Sequence, residues 1–168
     1  VIKEIQDDMK KSRPMRRLVQ GDVGSGKTVV AAGAMLTCAK NNLQSVLLCP
    51  TEVLAEQHFK NFSIWFASEN IDIEILTGKT KKKDWERIDY DLRSGKIKIL
   101  IGTHSVFQKR VSMKNLSLVV VDEQQRFGVK QRFEMLQKSK EAVLPHQLFM
   151  TATPIPRTLA MTIFADLS

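Results

Sequence analysis

A glycine-rich segment near the start of the chain carries residue types that bind phosphate. It matches the pattern G-x-x-x-x-G-K-[ST] and consists of Gly21, Asp22, Val23, Gly24, Ser25, Gly26, Lys27 and Thr28. Glycines allow such a loop to close around a phosphate with its amides pointing inward, and the helix that follows adds its positive end. Lys27 is expected to meet the β- and γ-phosphates, and the Thr28 hydroxyl to bind Mg²⁺. Residues 21–28 therefore predict a nucleoside triphosphate site.

Two adjacent acids supply the other half of such a site. Asp122 and Glu123 directly follow the apolar run at 118–121. An acid at the carboxyl end of a buried strand can face the Mg²⁺ held at the phosphate loop, and Glu123 can then orient or deprotonate an attacking water. Strands often end in solvated carboxylates, so the pair becomes specific through its combination with the loop. Together they predict nucleoside triphosphate hydrolysis, with Lys27, Asp122 and Glu123 as catalytic residues.

The elements that must position these residues alternate between strand and helix. Short apolar runs rich in β-branched residues lie at 16–20, 45–49, 71–76, 97–101, 118–121 and 147–150. Strands with few polar residues, separated by helices, indicate a parallel sheet covered on both faces. We therefore predict one α/β domain with three layers, α/β/α, and a mainly parallel central sheet.

The clearest helical pattern covers residues 51–67. Its apolar stripe contains Leu54, His58 and Phe62 and continues at either Trp65 or Phe66. Thr51 can cap the helix, because its hydroxyl can accept one of the free amide protons at the first turn. Residues 1–9 also have the pattern of an amphipathic helix.

Three other features favour structural interpretations. The lysine-rich run at 79–83 is as well explained by a solvated helix start as by DNA binding. Trp65 and Trp85 have helical spacing and apolar neighbours, which favours packing over base stacking. Cys38 and Cys49 lie in apolar stretches and are expected to be small buried side chains in a reducing cytoplasm, with no close Cys/His cluster for zinc.

The composition is that of a globular protein with an excess of basic residues. The 168 residues are 43% hydrophobic and 26% charged, and 26 Lys and Arg against 18 Asp and Glu give a net charge of +8. This excess suggests a polyanionic partner, although many basic surfaces bind nothing. No apolar run is long enough to cross a bilayer, so no membrane partner is expected.

Four motifs resemble those of superfamily 2 helicases, in the same order. They are residues 21–28 (motif I), 50–52 (Ia), 122–125 (II) and 151–153 (III). The longer strings at 50–58 (PTEVLAEQH), 102–107 (GTHSVF), 126–129 (RFGV) and 151–160 (TATPIPRTLA) resemble the RecG family of bacterial branched-DNA helicases. The resemblance covers essentially the whole chain. Gln125 departs from it, since RecG-like sequences usually have histidine there.

The resemblance implies a role for each motif. ATP and Mg²⁺ would be the cofactors, with Mg²⁺ on Thr28 and Asp122, and branched or forked DNA the partner. Gln125 would join the catalytic residues and, with Thr151, Ala152 and Thr153, would couple the state of the γ-phosphate to the DNA-contacting surface. The residues expected to contact the backbone of the translocated strand are Pro50, Thr51, Glu52, Gly102, Thr103 and His104. Thr51 and Thr103 could instead merely cap helices, and His104 could be an ordinary surface residue.

The resemblance also implies a domain organisation. Residues 1–168 are expected to form a single N-terminal RecA-like P-loop lobe of a larger protein, whose second RecA-like lobe and wedge domain are absent from this chain. Because the second lobe would supply an arginine finger, the chain alone is expected to bind ATP weakly and hydrolyse it very slowly.

Three alternatives remain open at this point. The transcription-repair coupling translocase shares GDVG, RFGV and TATPIPRTL, and differs in its partner, RNA polymerase. A P-loop kinase for a small molecule would leave GTHSVF and TATPIPRTLA unexplained. A DNA-binding or interaction module without turnover is compatible with the basic composition. Arg157 fits either a DNA contact or an interdomain contact.

Overall fold

In the described part of the chain, six parallel strands form one sheet, as the alternating sequence pattern predicts. The computed structural model describes residues 2–10, 16–20, 26–108, 111–122 and 145–151, and for 16–20, 107, 108 and 151 the backbone alone. The strands are β1 (Arg16–Gln20), β2 (Gln44–Leu48), β3 (Asp72–Leu76), β4 (Ile97–Gly102), β5 (Leu116–Asp122) and β6 (His146–Thr151). Each predicted strand is confirmed, with bounds that move by up to two residues.

The strands are arranged in the order β1-β6-β5-β2-β4-β3, and every neighbouring pair is parallel. The neighbour of β1, the strand that leads into the phosphate loop, is thus β6, which comes last in the sequence among the described strands. In β5, Val120 lies between Leu47 of β2 and Leu148 of β6. Parallel pairing places the carboxyl ends of all six strands at the same edge of the sheet.

Helices cover both faces of the sheet. The helices are α1 (Ile2–Met9), α2 (Lys27–Lys40), α3 (Glu52–Trp65), α4 (Lys82–Ser94) and α5 (Ser105–Gln108). One hydrophobic core contains side chains of α1, α2 and α3 with Leu118 and Val120 of β5. The other contains side chains of α4 and α5 with Val119 and Val121 of the same strand. This alternation confirms the three-layer α/β/α prediction.

Helix α3 begins and packs as its sequence indicates. Thr51 caps it, accepting a hydrogen bond from the Leu54 amide at 3.2 Å. The buried stripe continues at Phe66, which is 9% exposed, and not at Trp65, which is 44% exposed. The Trp65 ring packs on Phe62 with 5.8 Å between the ring centroids, so it covers the margin of the core.

The remaining structural predictions concern α4 and the cysteines. Lys81 is the N-cap of α4, and Lys82 and Lys83 are exposed in its first turn, so this part of the lysine-rich run is a solvated helix start, while Lys79 precedes the helix in the loop after β3. Trp85 packs against the core beneath α4. Cys38 and Cys49 are both buried and unpaired with each other.

Candidate functional site

The carboxyl edge of the sheet gathers segments that are far apart in the sequence. The first turn of α2 follows β1, residues 50–52 follow β2, and Gly102 ends β4. Asp122 ends β5, and Thr151 ends β6, where its backbone is paired with Gln20 of β1. Predicted residues from motifs I, Ia, II and III therefore meet at one edge, which is where parallel α/β sheets bind ligands.

The described part of the phosphate loop has the geometry that an anion site needs. Gly26 is the N-cap of α2 with φ 87°, in the left-handed region that favours glycine. Space around Gly26 is open, so the backbone conformation and not crowding selects glycine there. Lys27 and Thr28 occupy the first helical turn and are half-buried. The free amides of that turn and the helix dipole favour a phosphate at this position.

Asp122 lies on the same face of the sheet as α2. Side chains alternate along β5, and Leu118 and Val120 belong to the core under α1, α2 and α3. Asp122 is two residues further on, so its side chain points to that face, and it is 5% exposed. The first turn of α2, with Lys27 and Thr28, and the buried carboxylate therefore lie at the same edge and on the same face of the sheet, a region named here the nucleotide corner.

A histidine that the sequence pattern assigned to the apolar stripe of α3 contacts this carboxylate. His58 Nε2 lies 3.0 Å from Asp122 Oδ2, and both side chains are buried, at 10% and 8% exposed. Because a carboxylate only accepts hydrogen bonds, Nε2 is the donor. The signal in the sequence was a polar, ionisable residue at a stripe position whose neighbours four residues away on either side, Leu54 and Phe62, are apolar.

The buried thiol of Cys49 lies close enough to Asp122 to be influenced by its charge. Burial raises the pKa of Cys49 far above its ordinary value, and the negative charge of Asp122 raises it further. The thiol of Cys49 therefore stays protonated and uncharged at neutral pH.

The predicted DNA-contacting segments have structural roles of their own. Thr51 caps α3, which is the structural alternative that the sequence allowed for this residue. Gly102 is needed for close packing, because a Cβ there would overlap the Val106 side chain and lie 2.9 Å from the Leu76 carbonyl oxygen. Thr103 is buried at 7% exposed, and its backbone carbonyl accepts from the Val106 amide at the start of α5. His104 is half-buried.

The loop after β3 joins these segments, which the sequence did not indicate. The Thr77 amide donates to Thr80 Oγ1 at 3.0 Å, which closes the loop on itself. A Cβ at Gly78 would lie 3.1 Å from Glu52 Oε1 and 3.7 Å from Ser105 Oγ. Lys79 Nζ lies 3.4 Å from Glu52 Oε2. Residues 50–52, 77–80 and 102–105 thus lie side by side at the carboxyl edge of the sheet, and this group of segments is named here the edge surface.

Several predicted residues lie outside the described residues. They are Gly21, Asp22, Val23, Gly24, Ser25, Glu123, Gln125, Ala152, Thr153 and Arg157. Their predicted roles stay predictions.

The chain belongs to the DEAD/DEAH box helicase family, whose model matches residues 2–162. The ATP-dependent DNA helicase RecG of Haemophilus influenzae is 51% identical over 168 residues, which are 99% of this chain and 24% of that protein. RecG of Pasteurella multocida is 53% identical with the same coverage. This chain therefore spans about a quarter of the length of the curated relatives it matches.

Solved structures agree with this placement. A structure of RecG bound to a three-way DNA junction matches with TM-score 0.81 and 42% identity, covering 98% of this chain and 22% of that one. The Hef helicase domain of Pyrococcus furiosus matches with TM-score 0.72 and 22% identity, covering 99% of this chain and 36% of that one, and shares the fold. The RecG proteins among these relatives support the RecG-like interpretation over the coupling translocase and the kinase. Within the described residues, no helix is long and apolar enough to span a membrane.

Proposed function

We propose that this chain is the ATP-binding motor lobe of a DNA helicase that remodels branched DNA. The observation that carries the proposal is the shared corner at which the first turn of α2, with Lys27 and Thr28, and the buried Asp122 face the same side of a parallel sheet. The 51% identity to RecG, named an ATP-dependent DNA helicase, supports ATP as the nucleotide and DNA as the partner.

The residues of this corner fit Mg-ATP. Mg²⁺ is usually bound through one or two carboxylates, substrate phosphates and waters, and Asp122 with the Thr28 hydroxyl provides such a donor set. Bound Mg²⁺ would neutralise charge between the β- and γ-phosphates. Lys27 and the amides after Gly26 bind the phosphates, and Asp122 and Thr28 orient the cation.

The remaining steps fall to residues of motifs II and III. Glu123 positions the attacking water and accepts its proton. Gln125, with Thr151, Ala152 and Thr153, couples the occupancy of the γ-phosphate position to the edge surface. Because β6 carries Thr151 at its carboxyl end and pairs directly with β1 and β5, a shift of motif III is mechanically linked to both halves of the nucleotide site.

The edge surface is the proposed contact for the DNA backbone. Pro50, Thr51, Glu52, Gly102, Thr103 and His104 contribute to it. The RecG structure bound to a three-way junction supports branched or forked DNA as the ligand. The net charge of +8 favours a polyanion.

Residues 1–168 would work as the first RecA-like lobe of a longer cytoplasmic protein. The curated relatives are about four times as long, which leaves room for a second RecA-like lobe to close the nucleotide site. An arginine from such a lobe can raise the rate by about 10³- to 10⁵-fold. The chain alone is therefore expected to bind ATP weakly and to turn it over very slowly.

Calorimetric titration of Mg-ATP tests the nucleotide site. Lys27→Ala is expected to abolish binding, because the lysine contacts the phosphates that carry most of the ligand's charge. Lys40→Ala, at the other end of α2, is the matched control and should bind like the parent chain. Equal binding by the parent and Lys27→Ala would contradict the proposal.

A further inference from the structure

The buried contact between His58 and Asp122 joins the nucleotide corner to the middle of α3. The two residues are 64 positions apart and meet because β2, which leads into α3, is the direct neighbour of β5. The Nε2 to Oδ2 distance of 3.0 Å is that of a direct hydrogen bond. This hydrogen bond involves Asp122 Oδ2, and Asp122 Oδ1 takes no part in it.

The imidazole is held in place by the core beneath it. The Phe62 ring lies one helical turn further along α3 and meets His58 edge to face, with centroids 6.3 Å apart. Phe62 is fully buried and in turn packs on Phe66 at 5.6 Å. A side chain fixed in this way gives Asp122 a rigid donor.

A histidine at position 58 destabilises the fold, which needs an explanation in terms of its contact with Asp122. Within the described residues, His58 Nδ1 is buried without a hydrogen-bond partner. A buried, unsatisfied polar atom destabilises the fold, and an apolar side chain would continue the stripe of α3 without that penalty. The imidazole is therefore better explained by what it does to Asp122 than by packing.

We propose that His58 is a positioning residue that holds one oxygen of Asp122 and thereby orients the carboxylate for Mg²⁺. This inference rests on the proposed function, in which Asp122 binds the cation next to ATP. Partners of metal-binding groups fix their orientation, and removing them typically weakens metal binding by 10- to 100-fold. His58 thus acts through Asp122 and contacts neither nucleotide nor metal.

The test measures how strongly Mg²⁺ increases ATP affinity. Calorimetry gives the affinity of the chain for ATP with Mg²⁺ and with EDTA, and the ratio of the two reports cation binding. His58→Leu removes the donor and keeps an apolar side chain, with His58→Ala as a second donor-free variant should leucine not pack. His58→Gln keeps an N–H donor. Ile5→Val is the control, because Ile5 is fully buried in the same core on α1, a helix that carries none of the proposed site residues.

The variants should separate positioning from packing. His58→Leu is expected to lower the ratio by about 10- to 100-fold, His58→Gln to retain most of it, and Ile5→Val to keep the parent ratio despite a lower melting temperature. An unchanged ratio in the donor-free variants, or an equal loss in His58→Gln, would overturn the positioning role alone. A parent chain whose ATP affinity does not depend on Mg²⁺ would overturn the proposed cation site, and the role of His58 with it.

Discussion

At the scale of single residues, glycine is required at position 102 because two neighbouring elements leave no room for a side chain. A methyl group there would overlap Val106 of α5 and press on the Leu76 carbonyl oxygen at 2.9 Å. Gly102→Ala is therefore expected to lower the free energy of unfolding by about 1–3 kcal/mol, as overpacking usually does. Urea denaturation measures this.

A second glycine is the control for that prediction. Gly33 lies within α2, and a Cβ there would make an ordinary contact with Ile2 at 3.5 Å. Gly33→Ala should leave stability unchanged or raise it by up to about 1 kcal/mol through helix propensity. A Gly102→Ala variant as stable as Gly33→Ala would refute the packing argument.

The buried thiol of Cys38 makes stability depend on pH in the alkaline range. Burial raises the pKa of Cys38 to about 11, so the folded chain keeps a proton that the unfolded chain loses near the ordinary thiol value of 9.0. The stabilisation is complete below pH 9 and is lost as the pH rises through 11. The free energy of unfolding should fall between these values more steeply in the parent than in Cys38→Ala, as urea titrations at each pH would show. Parallel curves would contradict the assignment.

At the scale of elements, the start of α3 depends on one hydroxyl. Thr51 Oγ1 accepts from the Leu54 amide at 3.2 Å. Thr51→Ala is expected to cost about 0.5–2 kcal/mol of stability, and Thr51→Ser to cost much less because serine caps equally well. Thermal unfolding measures both. If Thr51→Ser were as destabilised as Thr51→Ala, the methyl group and not the cap would be responsible.

Elements were easier to predict from the sequence than the contacts between them. The strands could be predicted because buried parallel strands are short apolar runs, and α3 because its stripe is periodic. The contact of His58 with Asp122 could not, since it depends on β2 lying next to β5, and strand order leaves no local signal. The loop at 77–80 was missed for the same reason: only the adjacency of β3 and β4 brings it to Ser105 and Glu52.

At the scale of the whole molecule, two lysines at opposite edges of the sheet can be used to test which edge binds DNA. Lys79 lies on the edge surface and Lys40 ends α2 at the other edge, and each ammonium is 3.4 Å from a glutamate carboxylate. Lys79→Ala is expected to weaken binding of forked DNA and to reduce the slope of log affinity against log salt by about 1, while Lys40→Ala leaves both unchanged. Filter binding across a salt series measures this. Equal effects of the two substitutions would contradict DNA binding at the carboxyl edge.

The position of β6 between β1 and β5 has a consequence for how the molecule is made. Among the described strands, β1 pairs only with β6, yet β1 ends at Gln20 and β6 begins at His146. During synthesis on the ribosome, β2 to β5 can assemble with their helices while β1 still lacks its neighbour in the sheet. Such distant pairing forms late and leaves strand edges exposed in the meantime. Within residues 1–168, the strand that leads into the phosphate loop is therefore synthesised early and gains its neighbour in the sheet only after β6 has been made.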